Sequence, residues 1–418
     1  MLRGRRAITF ATMRTSPAPS AGVPSRGAFG WVEDSRRRLD RAGLGRRTTR
    51  RVRGGSAVGG SAVGGSAVVG SAVVDLSTND YLGMSARPEL VRASAEAAER
   101  FGTGGRASRV VSGGCSVHEE LEDALAAFCG TEAALVFSSG YLANIGALTA
   151  LCRPGSLLVC DESNHASLID GGRLSGAEVV AVAHADPAAT AVALAQKGAR
   201  RAVYATESVF SVEGDAPPLP PFLDACRSAG AGMVVDDAHG FGLVGPGGRG
   251  SLRAAVGCQP DVVGVVTLGK ALGSQGGAVV GTRQVIRYLV NVARSFVFDT
   301  ALAPPSAAAA LAGLSILRRE PERSRRVLHL ATRMAELLAD ARLPVSRPGA
   351  AVMSVRSPSA KSAVEWAGRC AERGVLVGCF RPPAVRDGIS RIRLGVHAAL
   401  SDRDVERAAS VIVATRPC

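Results

Sequence analysis

The stretch GVVTLGKALGSQGG (264–277) decides how this chain is read. It approaches the phosphate-loop pattern G-x-x-x-x-G-K-[ST] and fails it in three ways. Ala271 stands where a hydroxyl would reach a magnesium ion, and residues 265–268, VVTL, read as a strand rather than a flexible loop. Gly273, Gly276 and Gly277 follow the lysine, where a phosphate loop places its glycines in front. Lys270 is therefore a lysine at the end of an apolar strand. The chain has three lysines, Lys197, Lys270 and Lys361, and forty-seven arginines. An amine retained in this small-residue setting points to chemistry closed to guanidinium, since an amine can lose its proton and form an imine.

Outward from this strand the pattern repeats. Short apolar runs lie at Ala134–Phe137, Leu157–Cys160, Val179–Val182, Ala202–Ala205, Met233–Val235, Val262–Leu268 and Ala278–Val280, separated by helix-length segments. Seven such runs predict an α/β fold with a mostly parallel seven-stranded sheet covered on both faces. After Pro304 and Pro305 come helical patterns over Ala307–Arg318 and Arg323–Ala341, then shorter strands near Ala351–Val355, Val375–Val377 and Ile392–Leu394. These predict a smaller α+β domain. The expected divisions are a disordered basic tail over 1–28, an N-terminal arm over 29–75, a large domain over 76–305 and a small domain over 306–418. The arm reads as a polar helix within 30–53, followed by a repeat of GGSAV and its variants over 54–74, flexible by composition.

Composition removes several classes of function. The net charge of +14 suggests a nucleic-acid partner, yet residues 1–53 hold fourteen arginines and three acids, leaving +3 for the rest. Nine cysteines without a C-x-x-C pair, and six dispersed histidines, give no metal or disulfide pattern and suit a reducing cytoplasm. No apolar run reaches the ~20 residues of a membrane helix, so no membrane partner is expected.

Ligands of open α/β sheets sit beyond the carboxyl ends of the strands. There the sequence offers SSGYLAN, a small-residue turn into a helix whose backbone N–H groups can hold a phosphate. It also offers His165 in DESNHAS, Ser211 in TESVFSVEGD, Asp236 and His239 in DDAHGFG, and Lys270. An imine-forming lysine with a carboxylate, imidazoles and a phosphate turn suggests pyridoxal 5′-phosphate, with Asp236 keeping its pyridine nitrogen protonated.

Ten ordered motifs carry a resemblance from about Phe29 onward: NDYLGM (79–84), GTGGRASRVVSG (102–113), HEELEDALAAF (118–128), FSSGYLAN (137–144), NHASLIDG (164–171), HADP (184–187), VFSVEGDAPPL (209–219), VVDDAHGFGLVG (234–245), TLGKALGSQGG (267–277) and RPPAVRDGISRIRL (381–394). With them the chain resembles the α-oxoamine synthases, fold-type I pyridoxal-phosphate transferases that condense an amino acid with an acyl thioester and release CO2. The resemblance implies that Lys270 is the Schiff-base lysine and base, Asp236 the pyridine partner, and His239 and Ser211 contacts to the cofactor ring and its oxygen. It makes His165 the residue stacked on the ring, and gives the phosphate to Thr267 and the Gly140–Tyr141 backbone. Asn79 and Arg393 then face the substrate carboxylate, and Arg46 (or Arg47) the acyl substrate. The GTGGRASRVVSG and RPPAVRDGISRIR segments favour the biotin-pathway branch, which takes L-alanine and a pimeloyl thioester of coenzyme A or acyl carrier protein. Branches using glycine or serine with another acyl-CoA share the same residues, and an idle cofactor binder is the remaining alternative. A cytoplasmic homodimer is implied. Two departures stand out: Val212 and Glu213 replace Met and Asp, and Ala384 replaces a threonine.

Overall fold

The structure is a computed structural model and describes residues 27–48, 73–257 and 259–417. The tail expected over 1–28 lies outside the described residues except for its last two, and so does the repeat up to residue 72.

Among the described residues the strands form two sheets. The larger holds β2 (Ala133–Phe137), β3 (Leu157–Asp161), β4 (Glu178–Val182), β5 (Ala202–Glu207), β6 (Gly232–Asp236), β7 (Val262–Thr267) and β8 (Gly277–Gly281), in the order β2-β8-β7-β6-β5-β3-β4. All seven expected runs are strands. Pairing is parallel except at β8, which runs antiparallel to both neighbours. Alternation sorts their side chains to opposite faces. Val136, Val159, Tyr204, Val235 and Val266 join one core. Leu135, Leu158, Val203, Val234 and Val265 join the other. With both faces buried, every strand but the edge strand β4 is almost wholly apolar up to its carboxyl end, where Asp161, Glu207, Asp236 and Thr267 stand.

The smaller sheet, in the order β1-β10-β11-β9, contains β1 (Val74–Leu76), β9 (Val352–Arg356), β10 (Val375–Phe380) and β11 (Arg391–Gly395). Its core includes Leu76, Met353, Trp366, Ile392 and Leu394. The repeat leads directly into β1, because its final residue, Val74, pairs parallel with Val375. The arm helix α1 spans Trp31–Arg41, shorter than the 30–53 pattern. It stops ahead of Gly43, whose φ of +69° is left-handed, and Arg381 then donates to the carbonyls of Gly43 and Gly45. The helices Pro304–Arg319 and Glu322–Asp340 follow their expected spans closely. No helix of the described residues is long and apolar enough to cross a membrane.

Candidate active site

The carboxyl edge of the large sheet is crowded where β2, β7 and β8 meet. Gly277 opens β8 between Phe137 and Thr267. A Cβ on Gly277 would lie 2.4 Å from the backbone of Gly140, and one on Gly140 would lie 3.3 Å from Thr267 Oγ1. The glycines after Lys270 therefore let β8 pass against the start of a helix. That helix, α4 (Gly140–Leu151, numbered after two helices at Pro88–Phe101, α2, and Ser116–Cys129, α3), is capped by Ser139, whose Oγ accepts from the Leu142 N–H at 3.1 Å. The N–H groups of Gly140 and Tyr141 have no acceptor within the helix. Beside them Thr267 Oγ1 accepts from the Gly269 N–H at 3.3 Å. Free N–H groups and a hydroxyl at a helix N-terminus make an anion cradle.

Lys270, three residues after Thr267, is half-buried. Its Nζ lies 2.8 Å from His239 Nε2, and His239 Nδ1 lies 2.7 Å from the Tyr81 hydroxyl. Burial, partly offset by Asp236 and reinforced by Arg393, brings the amine down to about 8. Burial, with Lys270 and Arg393 nearby, holds the His239 imidazole well below its ordinary range, so it is neutral. An ammonium only donates, which makes Nε2 the acceptor and places the imidazole proton on Nδ1. Tyr81 then accepts from His239 and from Arg393 Nη2 (3.3 Å) and donates to Asn79 Oδ1 (3.0 Å). Arg393 Nη1 donates to the same Asn79 oxygen at 3.1 Å, and its Nε to the Ser211 carbonyl at 2.7 Å. A continuous chain of bonds thus runs from Lys270 through His239 and Tyr81 to Asn79, Arg393 and Ser211.

Asp236, the last residue of β6, is buried and accepts from Asn144 Nδ2 at 2.6 Å and from the Ala238 N–H at 2.9 Å. Asp237 is directed elsewhere, accepting from Ser208 Oγ at 2.5 Å and from the Ser251 and Leu252 N–H groups at 3.3 and 3.2 Å. Burial raises its carboxyl to about 6. His165 caps α5 (Ala166–Ser175), its Nδ1 2.8 Å from Ser167 Oγ, and its ring stands edge-on to Tyr141 with centroids 6.4 Å apart.

The structure brings Lys270, His239, Asn79, Arg393 and the Ser211 carbonyl into one network, with Asp236, His165, Thr267 and Gly140–Tyr141 on the same sheet edge. Arg46 stands apart from it. Its Nη2 donates to the carbonyls of Arg381 and Pro382, both at 3.2 Å. The residues before the Ala384 departure are thus tied to the arm. The Glu213 departure reaches across to the small sheet, pairing with buried Arg391 and accepting from Ser354 Oγ at 2.5 Å.

Three participants escaped the reading of strand ends. Glu207 ends β5, and its carboxylate accepts the His165 N–H at 2.7 Å and the Ser211 N–H at 3.0 Å. Burial, with Asp236 adding to it, raises its carboxyl to about 8. Asn144 lies one helical turn beyond Gly140 and reaches Asp236. Tyr81 stands inside NDYLGM. Glu207 and Asn144 are polar residues inside TESVFSVEGD and FSSGYLAN, but nothing in their spacing names their partners.

These residues fit pyridoxal phosphate. The amine has been brought toward neutrality, Asn144 Oδ1 is buried without a hydrogen-bond partner, and side chains at Gly140 and Gly277 would fill the cradle.

Residues 71–412 match the family Aminotransferase class I and II, and the chain belongs to that family, on its α-oxoamine synthase branch. The particular relatives are more telling. The chain is 50% identical over 339 residues to the 8-amino-7-oxononanoate synthase of Mycolicibacterium gilvum (strain PYR-GCK), covering 81% of this chain and 88% of that one. It is 45% identical over 383 residues to the protein of the same name from Mycobacterium sp. (strain JLS), covering 91% and 95%. Among solved structures, Sphingomonas wittichii serine palmitoyltransferase superposes with a TM-score of 0.82 at 29% identity, over 94% of this chain and 98% of that one. A serine palmitoyltransferase from S. paucimobilis with bound PLP gives 0.84 at 26% identity, over 93% and 97%. The fold is that of the fold-type I transferases, and the cofactor is pyridoxal phosphate.

Proposed function

We infer that the chain condenses L-alanine with a pimeloyl thioester to give 8-amino-7-oxononanoate, CO2 and free thiol, a step of biotin biosynthesis. The observation carrying this is the unbroken network from the Lys270 amine to the Arg393 guanidinium, in a chain about half identical to synthases of that name.

Pyridoxal phosphate, when bound, supplies an aldehyde for an amine and a ring that withdraws electrons from the neighbouring carbon. The chain's own residues do the rest. Arg393, fixed by Asn79, Tyr81 and Ser211, presents its guanidinium to the amino-acid carboxylate. Lys270 takes the proton from Cα of alanine, and an amine poised near 8 suits that task at neutral pH. His239 accepts a hydrogen bond from the amine through Nε2 and keeps it oriented. Asp236, held by Asn144 and the Ala238 N–H, presents its carboxylate to the ring nitrogen, and His165 covers the ring face. Gly140, Tyr141 and Thr267 bind the phosphate. Arg46, which donates to the carbonyls of Arg381 and Pro382, is assigned to the acyl substrate in this reading.

The working enzyme in this reading is a cytoplasmic homodimer. Supporting the dimer, Val111 is 77% and Phe298 73% exposed on neighbouring segments that Ser108 Oγ joins through the Val297 carbonyl at 2.8 Å.

The test is an assay of the cofactor-loaded protein with L-alanine, glycine or L-serine, each with pimeloyl-CoA and with pimeloyl-acyl carrier protein. Thiol release together with 8-amino-7-oxononanoate from L-alanine is expected. Turnover with glycine or L-serine alone would reassign the amino acid, and the preferred thioester identifies the donor.

A further inference from the structure

The motif HADP (184–187) has no part in the chemistry described so far. In the structure its histidine is doubly bonded. His184 Nδ1 lies 3.0 and 3.1 Å from the two Asp161 carboxylate oxygens, and Nε2 lies 2.9 Å from Asp215 Oδ2. Asp161 is 1% exposed and ends β3, while Asp215 closes the loop after β5. The other oxygen of Asp215 is buried without a hydrogen-bond partner, so His184 is the counter-charge on that carboxylate. Burial opposes a charged imidazole here, but the hydrogen bonds to Asp161 and Asp215, with their charges, outweigh it and raise His184 to about 10.

The loop that Asp215 closes is compact. Phe210 N–H donates to the Asp215 carbonyl and Gly214 N–H to the Phe210 carbonyl, both at 2.9 Å, and the His184 ring packs edge-on against Phe210 at 4.3 Å. Ser211 sits within it. Its N–H is held by Glu207, and its carbonyl receives Arg393 Nε. Whatever fixes the loop also fixes one of the three acceptors that aim Arg393.

We propose that His184 is a positioning residue for the amino-acid carboxylate. By bridging Asp161 at the end of β3 to Asp215, it anchors loop 208–215 and thereby the Ser211 carbonyl that orients Arg393. The proposal rests on Arg393 being the carboxylate ligand, as inferred above.

The test compares the cofactor-loaded full chain with His184→Gln, which keeps a donor but loses the charge and one of the two bonds. Amide hydrogen exchange at residues 209–214 is read together with KM for the amino acid and kcat. The expected result is exchange faster by about tenfold in the loop, with KM raised about tenfold and kcat changed less than about threefold. Asp215→Asn keeps an acceptor and should move both readouts the same way by less. It decides the matter if His184→Gln does not fold. Unchanged loop exchange overturns the proposal, and so does faster exchange without a change in amino-acid KM, which would make the contact structural only. If the wild-type cofactor absorbance responds to no amino acid, the functional reading falls instead. Loop exchange then still decides whether His184 holds the loop.

Discussion

Arg393 owes its aim to three acceptors of different kinds: an amide oxygen, a phenol and a backbone carbonyl. Lysine at this position keeps the charge but cannot span them or grip a carboxylate with two parallel bonds. Arg393→Lys should therefore raise the amino-acid KM by about ten- to a hundredfold, with a smaller loss in kcat, read by steady-state kinetics. An equal fall in kcat at constant KM would place Arg393 elsewhere in the reaction. The residues legible in the sequence share a property with Arg393. Lys270, Asp236 and His239 are polar groups at or just beyond the end of an apolar strand, and the sheet delivers them to one edge. Glu207 sits at a strand end too, but it works through backbone N–H groups of His165 and Ser211. Such partners leave no mark in residue type. Asn144 was hidden differently, as a helical residue whose partner lies 92 positions away.

The elements converge most tightly where β8 slides past the start of α4. Gly277→Ala would drive a methyl into the Gly140 backbone, at a cost of about 1–3 kcal/mol and with displacement of the phosphate cradle. Both a lower melting temperature and weaker cofactor binding are expected; unaltered cofactor affinity would move the phosphate away from this junction. At the far end of the sheet, His184 gives stability a pH dependence. Its value is raised from 6.5 to about 10, so folding binds a proton. The contribution is full below about pH 6.5 and is lost as pH rises to about 10. Subtracting melting curves of His184→Gln from those of wild type isolates it, and a difference constant from pH 6.5 to 10 would contradict the assignment. Six strands of the large sheet were readable because burial on both faces makes each a continuous apolar run, and β4, partly covered at the sheet's edge, still keeps the apolar run Val179–Val182. β1 was not, being three residues long and paired with a strand some 300 positions later. The end of α1 was obscured because its polar pattern continues beyond Gly43, where the backbone turns.

At the scale of the molecule, the two sheets divide the work. The large one supplies the lysine, the carboxylate and the anion cradle, and the small one supplies Arg393 from β11. Glu213 and Arg391 couple them across the loop that carries Ser211. If Val111 and Phe298 lie in a dimer interface, Val111→Asp should produce monomers in sedimentation velocity at concentrations where wild type sediments as a dimer. A monomeric wild type would reject the dimer. Reductive labelling decides whether this sheet edge is a pyridoxal-phosphate site built on Lys270, because the chain has three lysines. The protein is loaded with pyridoxal phosphate, reduced with borohydride, digested and weighed peptide by peptide. The cofactor's mass is expected on the peptide containing Lys270 and is expected to be lost in Lys270→Ala. Label on Lys197 or Lys361, or none at all, would contradict a site built on Lys270.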